Sequence, residues 1–262
     1  MIDTHAHLAY SQLSDNIEEY LLKAVEAGVQ GIVCVGTTAE DSAKCISLAE
    51  QHSLVRAAVG IHPNNAHQAS AADWDVIQEM SNHPKVVAIG ETGLDRYWDD
   101  CPWVTQLEWL ERQVDLARTR MLPVIIHTRD CIDEAIDWLA SQYAKQPFQA
   151  VMHSFTGNEA QANRCLSIGF YISFAGMVTF KNAADIQRVA AQIPQDRILV
   201  ETDSPYLTPH PFRGQRPNHP ALVRHTLESI ASLRSVDVAT MSLVVAENAK
   251  RLFSNWNRTV VS

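Results

Sequence analysis

Two histidines one residue apart, His5 and His7, close the first apolar segment of the chain, and titratable groups stand behind several later ones. Glu91 follows Val86-Val87-Ala88-Ile89-Gly90, His127 follows Val124-Ile125-Ile126, His153 follows Ala150-Val151-Met152, and Asp203 comes shortly after Ile198-Leu199-Val200. Imidazole and carboxylate are the side chains that bind divalent cations. In an extended strand residues i and i+2 face the same side, so His5 and His7 can reach one ion together. If these segments are parallel strands lying side by side, all the ligands emerge at one end of one sheet. Such an arrangement is a metal site.

Taken singly, the same residues have ordinary readings. His5 and His7 could be two polar residues at a strand-to-loop boundary, and His127 and His153 could each be a satisfied core histidine. Their equivalent positions favour ligation. Glu91, in Gly90-Glu91-Thr92-Gly93-Leu94-Asp95, is flanked by glycines that permit close backbone approach. Its carboxylate has two oxygens and can bridge two cations, so Glu91 is the expected bridge. Asp203 would face the His5/His7 ion if the last strand pairs with the first. Asp3 is a candidate partner behind the His5/His7 pair, and Glu201 reads as a backing or structural carboxylate in preference to a direct ligand.

His62, in Gly60-Ile61-His62-Pro63, is read as too peripheral for the metal and is assigned to the substrate or leaving group. Arg129 and Arg213 are either phosphate clamps or surface salt-bridge partners. Tyr97, Trp98 and Trp103 either stack on bases or pack under the following helix. The remaining histidines, His52, His67, His83, His210, His219 and His225, fall in helices or polar loops and read as solvated.

The elements that must position these groups alternate between two periods. Strand-like runs occupy residues 2–4, 31–35, 55–59, 86–89, 124–126, 150–153, 170–174 and 198–200. Helical candidates between them include residues 16–27, 39–51, 103–120, 130–142, 158–167 and 183–192. In the segment 39–51, Ala39, Ala43, Ile46 and Ala49 recur at amphipathic helical spacing. Two further helices, 220–233 and 238–253, close the chain. Eight βα units in this length are the expectation for an α/β fold of the (β/α)8 TIM-barrel type, a single domain over 1–262 with the site at the C-terminal ends of the strands. The competing doubly wound open sheet needs G-x-G-x-x-G after its first strand, where this chain has His-Ala-His.

Composition narrows the setting. The chain has 262 residues, is 46% hydrophobic and carries a formal net charge of −9. No sequence-wide basic surface exists to hold nucleic acid, so any phosphate affinity must be local. Five cysteines, Cys34, Cys45, Cys101, Cys131 and Cys165, show no C-x-x-C pairing and read as reduced packing residues. A cytoplasmic protein is expected, without a signal peptide or membrane span.

Six motifs resemble the TatD-type metal-dependent deoxyribonucleases, a family of amidohydrolase-like TIM barrels. They are Asp3-Thr4-His5-Ala6-His7-Leu8, Gly60-Ile61-His62-Pro63, Gly90-Glu91-Thr92-Gly93-Leu94-Asp95, His127-Thr128-Arg129-Asp130, His153-Ser154-Phe155-Thr156-Gly157 and Glu201-Thr202-Asp203-Ser204-Pro205-Tyr206-Leu207. The match extends through Arg216-Pro217-Asn218-His219-Pro220 to Asn248-Ala249-Lys250-Arg251-Leu252-Phe253, and the full H-x-H marks the branch that keeps that pair.

The resemblance implies two divalent ions, one held by His5, His7, Glu91 and Asp203 and the other by Glu91, His127 and His153. It implies hydrolysis of DNA phosphodiesters, in several members as a 3′→5′ exonuclease, with single-stranded DNA or 3′ ends as the substrate. Asp203 is the expected proton acceptor in a two-metal reaction. The imidazole-rich set suits Zn²⁺, Mn²⁺ or Fe²⁺, and the carboxylates leave Mg²⁺ open. Some members of the family are assigned to removing D-amino acids from mischarged tRNA, so an amide or ester hydrolase with the same dinuclear site is the alternative. A metal-stabilised, non-enzymatic scaffold is the third reading. It fits poorly, since structural sites are closed and usually single.

Overall fold

Eight strands, most of them short and buried, form in the computed structural model, which describes residues 1–257. Residues 258–262 of the single domain expected over 1–262 lie outside the described residues. The strands are β1 (Asp3–Ala6), β2 (Ile32–Val35), β3 (Val55–Val59), β4 (Val86–Asp95), β5 (Val124–Arg129), β6 (Ala150–Met152), β7 (Tyr171–Phe174) and β8 (Ile198–Val200). They run in sequence order in one sheet, and every neighbouring pair is parallel. The ring is completed where β8 reaches β1: the Asp203 N–H donates to the His5 carbonyl (2.9 Å) and the His7 N–H to the Ser204 carbonyl (2.7 Å). The chain is a (β/α)8 barrel.

Among the described residues ten α-helices surround it: α1 (Ser11–Ser14), α2 (Ile17–Glu26), α3 (Ala39–Gln51), α4 (Ala71–Met80), α5 (Trp103–Arg120), α6 (Ile132–Lys145), α7 (Glu159–Ser167), α8 (Ala184–Gln192), α9 (Val223–Leu233) and α10 (Val238–Leu252). Helix α4, absent from the candidates named above, opens on a capping box in which Ser70 and Asp73 bond each other's backbone. The expected helix 220–233 divides into a 3-10 turn at Pro220–Leu222 followed by α9. All five cysteines are buried thiols, in keeping with their reading as packing residues.

Alternation along the strands sorts the core into two layers. Val33, Val35, Ala58, Ile125, Val151, Tyr171 and Leu199 gather in the barrel interior with Ala249, Phe253 and Trp256. Their neighbours Ile32, Cys34, Val124, Ile126, Ile198 and Val200 face the helices. Trp256 stops the N-terminal end of the barrel. Its ring packs so closely on Gly31 that a Cβ there would sit 2.1 Å from Trp256 Cζ2, and its carbonyl accepts from Arg56 Nε at 2.9 Å.

Strands β4 and β5 run further than the apolar pattern indicates. Residues Thr92 to Asp95 pair with Ile126 to Arg129, although glycine and polar residues fill that stretch. The pairing is tight: a Cβ on Gly93 (φ +150°) would lie 2.0 Å from the His127 carbonyl oxygen, and one on Gly90 (φ +140°) 2.8 Å from that of Ile125. Glycine therefore lets β4 carry Glu91 against β5.

Truncating the barrel stopper tests this layering. Trp256→Ala should cost about 3–5 kcal/mol and lower the thermal midpoint on the order of 10 °C, read by calorimetry. An unchanged midpoint would show that the indole closes nothing.

Candidate metal centre

The barrel brings His5, His7, Glu91, His127, His153 and Asp203 to one point at the C-terminal ends of the strands, and Glu91 lies at its centre. The two oxygens of Glu91 face different partners. Oε2 is 3.3 Å from His5 Nε2 and 3.6 Å from His7 Nε2, and Asp203 Oδ1 is 3.7 and 3.6 Å from the same two nitrogens. Oε1 is 2.8 Å from His153 Nε2, 2.9 Å from His127 Nδ1 and 3.6 Å from His62 Nε2. Three triads of potential ligand atoms result: His5 with His7 and Asp203, His5 with Glu91 and His153, and His62 with Glu91 and His127.

The outward-facing nitrogens show what the inward ones can do. His7 Nδ1 lies 3.0 Å from the Val35 carbonyl, His153 Nδ1 3.2 Å from Glu201 Oε1, and His127 Nε2 3.0 Å from Asp95 Oδ2. Each partner can only accept, so in the neutral ring each outward nitrogen carries the proton and the inward nitrogen is the one whose lone pair a cation can take. An acceptor behind each ring is the arrangement that orients imidazole towards a metal. His62 is wired the other way. Its Nδ1 accepts from the Asn64 N–H (3.2 Å), which leaves the proton of the neutral ring on Nε2, pointing at Glu91. His62 therefore joins the cluster in space but is a hydrogen-bond donor there. The residues fit cations on the two sides of Glu91, with His62 outside the ligand set.

Electrostatics agree with that fit. Burial works against the Glu91 carboxylate, but the charge of His153 and the hydrogen bond from His127 outweigh it and hold its pKa well below the usual carboxylate range. Burial also opposes charge on His7, yet Asp203 and Glu91 raise it to about 9, and His153 rises well above its ordinary value for similar reasons. Protons on these imidazoles take the place of metal charge when no cation is bound. His62 falls to about 3, through burial first and then His127, and so stays neutral.

Glu201 backs His153 and also accepts from the Ser154 N–H at 2.7 Å, in line with the sequence reading. Asp3 does not touch an imidazole. Its carboxylate accepts from the backbone N–H (2.9 Å) and hydroxyl (2.6 Å) of Thr202 and fastens β1 to the end of β8, beside Asp203. Two buried glutamines of α5, seven residues apart, fix the neighbouring loops. Gln106 bonds the backbone N–H and carbonyl of Asp95 (2.8 and 2.9 Å), and Gln113 does the same for Ile61 (2.8 and 3.0 Å), next to His62.

A cavity of about 680 Å³ opens above the cluster, and Arg129 lines it. Arg213 is not brought there. It is exposed and stacks on Phe180, with Cζ 4.2 Å from the ring centroid, while Arg216 lines the cavity. The loop Phe212–Arg216 turns back on itself through a Gln215 N–H bond to the Phe212 carbonyl (2.7 Å), which separates two arginines that look equivalent in sequence. Asp95 has no role in the sequence reading, although the alternation Glu91, Gly93, Asp95 on one strand is the signal that puts it beside the cluster.

Comparison with known proteins agrees with the architecture. The family profile described as "TatD related DNase" matches residues 2–254. The uncharacterized metal-dependent hydrolase YabD of Bacillus subtilis is 42% identical over 253 residues, covering 97% of this chain and 98% of its own. The 3′-5′ ssDNA/RNA exonuclease TatD of Pectobacterium carotovorum is 33% identical over 258 residues, covering 97% and 99%. The crystal structure of YjjV, a TatD homolog from Escherichia coli K12, superposes with a TM-score of 0.91 at 32% identity, covering 97% and 98%. A barrel with a histidine–carboxylate cluster at its mouth defines a metal-dependent hydrolase, and the chain belongs to the TatD-related DNase family.

Two substitutions separate the ligand roles. Glu91→Gln places an amide N–H₂ against one imidazole set and should lower bound divalent metal after dialysis, read by elemental analysis. His62→Gln should leave metal content near that of the wild type. Equal metal in the Glu91 variant, or its loss in the His62 variant, would contradict the assignment.

Proposed function

We propose that the protein removes nucleotides from a single-stranded end of DNA, as a 3′→5′ exonuclease working by two-metal hydrolysis. The observation that carries this reading is the division of Glu91, with one oxygen facing the His5/His7/Asp203 set and the other facing His127 and His153. Cations bound there would lower the pKa of a water molecule and offset charge on a phosphodiester.

Asp203 takes the proton. Burial works against its carboxylate, but the His7 hydrogen bond and the charge of His153 hold it below the usual range, so it is ionised at neutral pH. Its side chain is 15% exposed where that of Glu91 is 3%, so Asp203 is the more open of these two carboxylates. His62, neutral and carrying its proton on Nε2, donates to a phosphate or leaving oxygen. Arg129 and Arg216 supply local positive charge on a chain whose formal net charge is −9. Cleavage of nucleic acid is also what the name of the Pectobacterium carotovorum relative states for that protein.

Single-stranded DNA labelled at its 5′ end should shorten from the 3′ end in the presence of Zn²⁺, Mn²⁺ or Mg²⁺. A 3′ phosphorothioate block should stop the reaction and a 5′ block should not. Asp203→Asn should lower kcat by about 10²–10⁴-fold while much of the metal stays bound. Intact DNA alongside hydrolysed aminoacyl-tRNA or small esters would replace this reading with an acyl hydrolase.

A further inference from the structure

The turn after Asp95 holds two large aromatic side chains in solvent at the lip of the cavity. Tyr97 is 51% exposed and Trp98 49%, and Trp98 lines the cavity together with Arg129. The two rings meet edge to face, with centroids 4.9 Å apart. Arg129 Cζ lies 3.6 Å over the Tyr97 ring and 5.9 Å from that of Trp98. Large aromatic surface left in water beside a cavity marks a contact surface.

The turn is also fixed in place. Asp95 Oδ1 accepts from the N–H groups of Tyr97 (2.8 Å) and Trp98 (3.2 Å), while Oδ2 receives His127 Nε2 (3.0 Å). One carboxylate thus orients a candidate metal ligand and the backbone of the aromatic turn. Trp103, the third aromatic of this region, has a different use: it is partly buried, with Arg96 Cζ 4.0 Å over its ring.

Resting on the nucleolytic reading above, we infer that Trp98, Tyr97 and Arg129 form a subsite for single-stranded nucleic acid, with an unpaired terminal base stacked on Trp98 and its phosphate against Arg129. A base–aromatic contact is indifferent to base identity but needs an exposed base face, which a paired end withholds. Arg129 lines the cavity while the exposed carboxylates of Asp99 and Asp100 do not, so a strand in the cavity meets Arg129 with its phosphate and Trp98 with its base.

The test compares oligothymidylate with the same strand made abasic at its two 3′-terminal nucleotides. Binding to manganese-loaded Asp203→Asn protein is read by fluorescence anisotropy, with and without Trp98→Ala. The intact strand should bind at least about fivefold more tightly than the abasic one. Trp98→Ala should abolish that preference, Trp98→Phe should keep most of it, and Arg129→Ala should weaken both strands alike. A preference that is absent, or that survives Trp98→Ala, overturns the subsite, as does failure to bind either strand. If wild-type protein cleaves no oligonucleotide in a parallel assay, the nucleolytic reading itself has failed.

Discussion

A buried carboxylate surrounded by imidazoles is the constraint on which this structure turns. Glu91 lies on β4 with its side chain almost wholly shielded from water, and an uncompensated charge in such a place costs several kcal/mol. Its compensation comes from His5 and His7 at the end of β1, His127 on β5 and His153 after β6. These elements meet at Glu91 because the barrel closes. The same closure sets Asp203 against the His5/His7 pair through the backbone bond between Asp203 and His5.

The two ends of the barrel divide the work. Trp256 and α10 fill the N-terminal end with apolar side chains, while the C-terminal end holds the charged cluster and the cavity. Stability at one end and chemistry at the other is the usual division in this architecture. Between them lies a layer of polar side chains whose work is orientation. Val35 carbonyl, Asp95 and Glu201 fix ring tautomers, Asp3 fastens the seam, and Gln106 and Gln113 tie α5 to the end of β4 at Asp95 and to the loop before His62. His62 shows how much depends on one such bond. The N–H of Asn64 on its Nδ1 makes it a donor among acceptors.

Much of this was legible in the chain because strand ends are marked by an abrupt change from apolar to titratable residues. His5, His7, Glu91, His127, His153 and Asp203 follow that rule, and the structure brings all of them together. What escaped was set by tertiary contact. The last part of β4 carries glycine and polar residues and reads as a loop, yet it pairs with β5 through Asp95. Arg213 and Arg216 look alike in sequence, and the fold of their loop alone decides which one faces the cavity. Asp3 reads as a partner for the adjacent histidines but turns to Thr202 across the barrel seam, a contact 199 residues distant.

Anomalous diffraction from crystals of the metal-loaded protein, collected at the absorption edge of the bound metal, addresses the centre of the account most directly. The expected result is two peaks, one on each side of the Glu91 carboxylate, the first among His5, His7 and Asp203 and the second beside His127 and His153. A single peak, a peak on His62 in place of His127, or density remote from Glu91 would contradict it.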